Sequence, residues 1–155
     1  MELEQRIEKG VELFKSGYNC SQSVFAAFAD IYGYKFEDAL RISASFGGGI
    51  GRMRETCGAA CGLFMLASLE NGSVDPKDRA AKAANYKLVQ DFAAKFVEAN
   101  GMLKCSALIK EEKSDSAVPS ERTAEYYKKR PCTQIVENAC RIFAEYKSKQ
   151  QEESN

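Results

Sequence analysis

Apolar positions recur at three- and four-residue intervals along most of the chain, the spacing that gathers side chains on one face of an α-helix. Leu3, Ile7, Val11 and Phe14 form the first run, and Gly17 stops it. Asn19 is a good N-cap for a second helix from Cys20 to Tyr32, with Val24, Phe25, Phe28 and Ile31 on its apolar face and Gly33 as terminator. A third segment, Phe36 to Phe46, carries Ala39, Leu40 and Ile42 and breaks at Gly47-Gly48-Gly49-Ile50-Gly51, which predicts a loop. Thr56 can cap a fourth helix, CGAACGLFMLASLEN, ended by Gly72. That segment is small and apolar nearly all round, as suits a central, buried helix.

Asp75-Pro76 reads as a cap followed by proline at the first helical position. The long stretch from Pro76 to Asn100 keeps Ala80, Ala83, Ala84, Leu88, Phe92, Phe96 and Val97 in register, and Gly101 closes it. A short apolar piece, Met102 to Ile109, precedes the polar stretch KEEKSDSAVPSER, expected to be an exposed loop without core contribution. Pro131 then opens a last helix through Ile135, Val136, Ala139, Ile142 and Phe143. The tail KSKQQEESN is expected to fray. No alternating strand pattern and no internal repeat is present, so the prediction is an all-α, single-domain bundle of about five to seven helices over residues 1–146, with a polar, disordered tail over 147–155.

Length and charge narrow the partners. The 155 residues suit one domain with a sizeable core, and 22 Lys plus Arg balance 22 Asp plus Glu. A chain without net charge has no global field to recruit nucleic acid or an anionic membrane. No apolar run reaches the roughly 20 residues that span a bilayer, so the chain is not expected to be membrane-embedded. The opening MELEQRIEKG alternates acid and base where a secretory signal would be basic and then apolar, which predicts a cytoplasmic location with reduced thiols.

The sequence contains no histidine, which removes Ser-His and Cys-His nucleophile pairs and all imidazole metal ligands. Six cysteines remain: Cys20, Cys57, Cys61, Cys105, Cys132 and Cys140. Cys20 follows Asn19, Cys57 follows Thr56 and Cys132 follows Pro131, so three occupy the first turn of a predicted helix. There the free backbone N–H groups and the positive end of the macrodipole favour thiolate over thiol. Cys57 and Cys61 share a helix face at a spacing too wide for an unstrained disulfide. They suit a shared metal, or one reactive cysteine with a structural neighbour, and the second reading is preferred because Cys61 lies in the helix body. Cys140 sits in an apolar stripe with Val136 and Phe143 and reads as core. Gly58 and Gly62 leave a surface free of side chains beside Cys57, useful for tight packing or for a second sulfur. The glycine-rich loop with Arg52 and Arg54 is a cationic approach to Cys57, opposed by Glu55. It lacks the context of a phosphate-binding loop.

These residues resemble a family of small redox-active proteins, some of them selenoproteins, named for a C-GCAxxG-C-C cysteine pattern. Cys57-Gly58-Ala59-Ala60-Cys61-Gly62, preceded by FGGGIGRMRET, is similar to its central element, and Cys20 in YNCSQ to its upstream cysteine. Its two downstream cysteines fall on Cys105, within GMLKCSALI, and Cys132, within RPCTQIVENA. The resemblance covers the chain except the tail and implies a helical domain with four functional sulfurs: Cys20, Cys57, Cys105 and Cys132. Cys61 and Cys140 fall outside the pattern. Two mechanisms stay open. In one, a thiolate attacks a disulfide and a second cysteine resolves the intermediate, with Cys57 as attacker and Cys20 as resolver, and a redox partner protein or a small thiol or disulfide as the other reactant. This would make the protein a thiol-dependent oxidoreductase. In the other, Cys20, Cys57, Cys105 and Cys132 hold an iron–sulfur cluster or a zinc ion. A third reading is a non-catalytic helical interaction module.

Overall fold

From Gly58 to Leu69 there is no charged side chain, so this segment has no face that favours water, and it becomes the centre of the fold. The computed structural model describes residues 1–155 and is all-α. Its helices are α1 (Leu3–Lys15), α2 (Cys20–Ala26), α3 (Phe36–Ser43), α4 (Gly58–Asn71), α5 (Arg79–Asn100), α6 (Cys105–Ile109), α7 (Ala124–Lys129) and α8 (Cys132–Ser154). Short 3₁₀ turns cover Ala29–Tyr32 and Ala44–Phe46. Central α4 packs against α2, α5 and α8, while α1 lies along α8 and α2. The small-residue groove foreseen on α4 is used for close packing. A Cβ on Gly62 would sit 2.9 Å from the Ser21 carbonyl oxygen, so the α2 and α4 backbones nearly touch. The core is aromatic on the far side of α4: the Phe143 ring meets Phe28 at 5.0 Å and Phe92 at 6.0 Å, both edge-to-face.

Four sequence expectations shift. The second helix stops at Ala26, because the buried guanidinium of Arg6 takes the Ala27 carbonyl at 3.0 Å and pairs with Asp30. In a continuous helix Ala27 would accept from Ile31; instead the Ile31 N–H bonds Phe28 at 3.0 Å, a tighter 3₁₀ step that leaves Ile31 39% exposed. Helix α5 starts three residues later than expected. Asp75 bends back to cap its own turn through the Lys77 N–H, and Asp78 becomes the N-cap, accepting from Ala81 at 2.9 Å. Ala80, Ala83 and Ala84, expected on the apolar face, are exposed, and the buried residues of α5 begin at Leu88.

The polar stretch before Pro131 includes Arg122, which reaches into the body of the protein, and is followed by α7, an element the apolar pattern does not signal. The tail is helical to Ser154. Lys147 and Gln150 both bond Glu70 on α4, which gives this polar segment a partner that the local pattern does not reveal.

Candidate functional site

Each of the four cysteines singled out by the resemblance lies at the start of a helix. Cys20 opens α2 behind Asn19, whose Oδ1 accepts the Gln22 N–H at 2.9 Å while Gln22 Oε1 accepts the Asn19 N–H at 3.1 Å. Cys57 is itself the N-cap of α4, one position beyond the Thr56 cap expected from sequence. Cys105 opens α6 and Cys132 opens α8, so the helix-start pattern read at three positions extends to a fourth. Thr56 and Lys104 form an isolated antiparallel bridge. The Cys57 N–H donates to Leu103 at 2.7 Å, and the Cys105 N–H to Glu55 at 2.6 Å. This cross-link holds Cys57 and Cys105 beside each other although 48 positions separate them in sequence.

Cys20, Cys57, Cys105 and Cys132 line one largely enclosed cavity of about 60 Å³. Cys57 and Cys105 are buried, and Cys20 and Cys132 are partly exposed. Cys61 and Cys140 do not line it. The Cys61 thiol faces the Thr56 carbonyl at 3.8 Å, and Cys140 is fully buried against Gly10, where an added Cβ would lie 2.5 Å from its sulfur. Both therefore lie apart from the cavity that gathers the other four.

The glycine-rich loop is a left-handed coil. Gly48, Gly49, Ile50, Gly51 and Arg52 have consecutive positive φ angles, as does Arg54. For the three non-glycine residues that conformation costs about 1–2 kcal/mol each. Hydrogen bonds hold it, including Gly51 N–H to Ser45 at 2.7 Å and Glu55 N–H to Gly49 at 2.9 Å. Strain of this kind persists where the surroundings over-determine it. At Gly49 a Cβ would lie 2.5 Å from the Cβ of Cys105, and at Gly58 it would lie 2.4 Å from the Cys20 sulfur. The glycines therefore let the coil and α4 close directly onto the sulfurs.

The electrostatics single out one sulfur. The Cys57 thiol donates to Cys20, and the backbone N–H groups of Gly48, Ser21 and Cys20 itself add to it, holding Cys20 well below the usual thiol range, at about 6, against the opposing effect of burial. Cys57 is pushed far up for the complementary reasons: it is the donor to Cys20, it is buried, and it faces the Cys20 charge. Burial raises Cys105, opposed by Arg54, whose Nη1 stands 3.9 Å from its sulfur. Burial and the charge on Cys20 push Cys132 to about 12. Burial alone is the chief cause at Cys61, about 11, and Cys140, about 12. The arrangement thus favours a single thiolate, on Cys20, among neutral thiols. The expectation from sequence had Cys57 as attacker and Cys20 as resolver; the directions of these shifts favour the opposite assignment of the pair.

Arg122, Tyr126 and Arg130 also line the cavity, and the sequence reading missed them. Arg122 donates to the Phe14 carbonyl at 2.8 Å and the Tyr18 carbonyl at 3.0 Å and lies 4.2 Å over the Phe14 ring. The available signal was their four-residue spacing, which crosses the boundary between a polar stretch and a helix start. As placed, no three Cys, Asp or Glu side chains are gathered closely enough to hold a metal ion.

A family model described as "Putative redox-active protein (C_GCAxxG_C_C)" matches residues 18–146. The chain belongs to this family. All four cavity-lining cysteines fall within the matched range, as does the strained coil that leads into Cys57. No curated protein and no solved structure matches the chain. No helix is long and apolar enough to cross a membrane.

Proposed function

We propose that the protein is a thiol-dependent oxidoreductase that exchanges electrons with a disulfide through Cys20 and Cys57. The Cys20 thiolate attacks one sulfur of the substrate disulfide; a Cys20–substrate S–S bond forms, the substrate S–S bond breaks, and its electron pair leaves on a thiolate that takes up a proton. Cys57 then loses its proton to the departing thiolate or to solvent and attacks the Cys20 sulfur. The second substrate sulfur leaves, and a Cys20–Cys57 disulfide remains. Two protein thiols are oxidised and one disulfide is reduced to two thiols. Cys105 and Cys132, neutral thiols on the same cavity, are the groups through which the new disulfide can be relayed by further exchange.

The observation that carries this reading is that Cys20 and Cys57 line one cavity, with the Cys20 sulfur packed against Gly58 beside Cys57, and the downward push on the Cys20 thiol by Cys57 supports Cys20 as the nucleophile. Reduced protein treated with hydroxyethyl disulfide, acid-quenched and peptide-mapped by mass spectrometry tests it. Wild type should yield a Cys20–Cys57 disulfide. Cys57→Ser, which keeps a hydroxyl donor but cannot resolve, should accumulate a mixed disulfide on Cys20, and Cys20→Ser should form neither. A Cys20→Ser protein that reacts as fast as wild type would overturn the assignment.

A further inference from the structure

Next to the cysteine cavity lies a second concavity of about 270 Å³, and the two share Asn19, Gly48, Arg54, Arg122, Tyr126 and Arg130 as lining residues. Arg52 joins the outer basin, so four guanidinium groups face it, and no Asp or Glu lines it. Only Arg130 has a carboxylate partner, Glu111 at 2.5 Å. Arg52 bonds the Ser114 and Ser120 hydroxyls and the Ser116 carbonyl. Arg54 bonds the Gly48 carbonyl and faces the Cys105 sulfur, and Arg122 bonds the Phe14 and Tyr18 carbonyls and the Tyr127 hydroxyl. These partners orient the guanidiniums without cancelling their charge. Arg54 is only 5% exposed, a degree of burial at which an ion ordinarily requires a counter-charge. Because the whole chain is neutral, the excess positive charge belongs to this basin and not to the surface at large. A concave site with low-dielectric walls focuses such a field on a small anion, and guanidinium forks match the planar oxygen pairs of carboxylate and the oxygens of phosphate.

We infer that the arginine basin is the binding subsite for an anionic group, a carboxylate or phosphate, carried by a small disulfide substrate whose sulfur is presented to Cys20 in the adjoining cavity. This rests on the thiol-exchange reading above and names its substrate class. The exchange is the same: the Cys20–sulfur bond forms, the substrate S–S bond breaks, and the departing thiolate keeps the electron pair and takes a proton. The arginines contribute binding and orientation, and the Cys20 thiolate supplies the nucleophile.

The test compares second-order rates of mixed-disulfide formation on Cys20 in the Cys57→Ser background, using dithiodipropionate, neutral hydroxyethyl disulfide and cationic cystamine. The dicarboxylate should react about tenfold faster than the neutral reagent, with cystamine slowest. In Arg52→Gln the ratio of the dicarboxylate rate to the neutral rate should fall towards one. A purely structural loss would lower both rates together and leave the ratio unchanged. In the protein with Arg52 intact, raised potassium chloride should slow only the dicarboxylate, and inorganic phosphate at matched ionic strength should slow it further if the basin recognises phosphate oxygens. Inhibition no greater than that of chloride, with the rate ratio retained, assigns the basin to carboxylates. Equal rates for all three reagents, insensitive to salt, would overturn this inference and leave the Cys20 chemistry standing. Failure of every reagent to modify Cys20 would overturn both.

Discussion

At the scale of single residues, the protein uses the same element in two ways. Cys20 and Cys57 both begin helices, yet their thiols are pushed in opposite directions, Cys20 down by the Cys57 thiol and by the backbone of Gly48 and its own first turn, Cys57 up by the same pairing and by burial. Cys61 is four residues from Cys57 and outside the cavity, and burial keeps it a thiol. Cys61→Ser should therefore leave formation of the Cys20–Cys57 disulfide intact in the mass-mapped oxidation, at a stability change within about 1 kcal/mol, since serine can donate to the same Thr56 carbonyl. Asn19 is expected to matter more. Its Oδ1 caps α2 and its side-chain amide donates to the Ala44 carbonyl at 2.9 Å, so Asn19→Ala should cost about 1 kcal/mol in chemical denaturation and also loosen the mount of Cys20. The cap and the helix-start cysteines were legible in the sequence because both depend on immediate neighbours. The downward push on the Cys20 thiol was not, since its causes, Cys57 and Gly48, are brought to Cys20 only by the fold.

At the scale of elements, the site is a meeting of helix starts around α4, and glycine sets how close they come. Gly58→Ala would place a Cβ 2.4 Å from the Cys20 sulfur and 2.7 Å from the Phe46 carbonyl oxygen, a backbone atom that cannot swing aside. The substitution should cost about 1–3 kcal/mol by denaturant titration and displace the Cys20 sulfur, slowing its reaction with disulfides. Helices α1 and α3 could be read from apolar spacing, and α4 from its unbroken apolar run, because each is followed by a glycine close in sequence, Gly17, Gly47 and Gly72. The early end of α2 could not, because the group that ends it is Arg6, on another helix. The bridge between Thr56 and Lys104 is equally silent in local pattern, and it is what brings Cys105 to the site.

At the scale of the whole molecule, one core rich in phenylalanine supports the helix starts that line the cysteine cavity. Phe143 is fully buried between Phe28 and Phe92, and Phe143→Ala should cost about 3–5 kcal/mol, lowering the unfolding midpoint without touching the cysteine cavity. The carboxyl-terminal part of α8 is tied to α4 through Glu70. Although partial burial disfavours its charge, the Tyr32 hydroxyl, Gln150 and Lys147 hold the Glu70 carboxyl below the ordinary carboxylate range. A carboxyl whose folded value is depressed stabilises the fold fully above its unfolded value, and that contribution disappears as pH falls through the folded one. Glu70→Gln should thus lower the denaturation midpoint at neutral pH, and the gap from wild type should close on acidification. The tail was unreadable for a related reason: it is polar along its length, and its helix is anchored by a carboxylate about 80 positions upstream.

The measurement that bears most directly on the account is the pH dependence of Cys20 alkylation by iodoacetamide, resolved residue by residue by mass spectrometry in wild type and Cys57→Ala. The expected result is a Cys20 midpoint at about 6, with the rate falling as the thiolate is protonated below it. Loss of the Cys57 donor should shift that midpoint up towards the ordinary thiol value of about 8.5. A Cys20 midpoint already at the ordinary thiol value in wild type, or a low midpoint found on Cys57 instead, would contradict the assignment of Cys20 as the thiolate of this site.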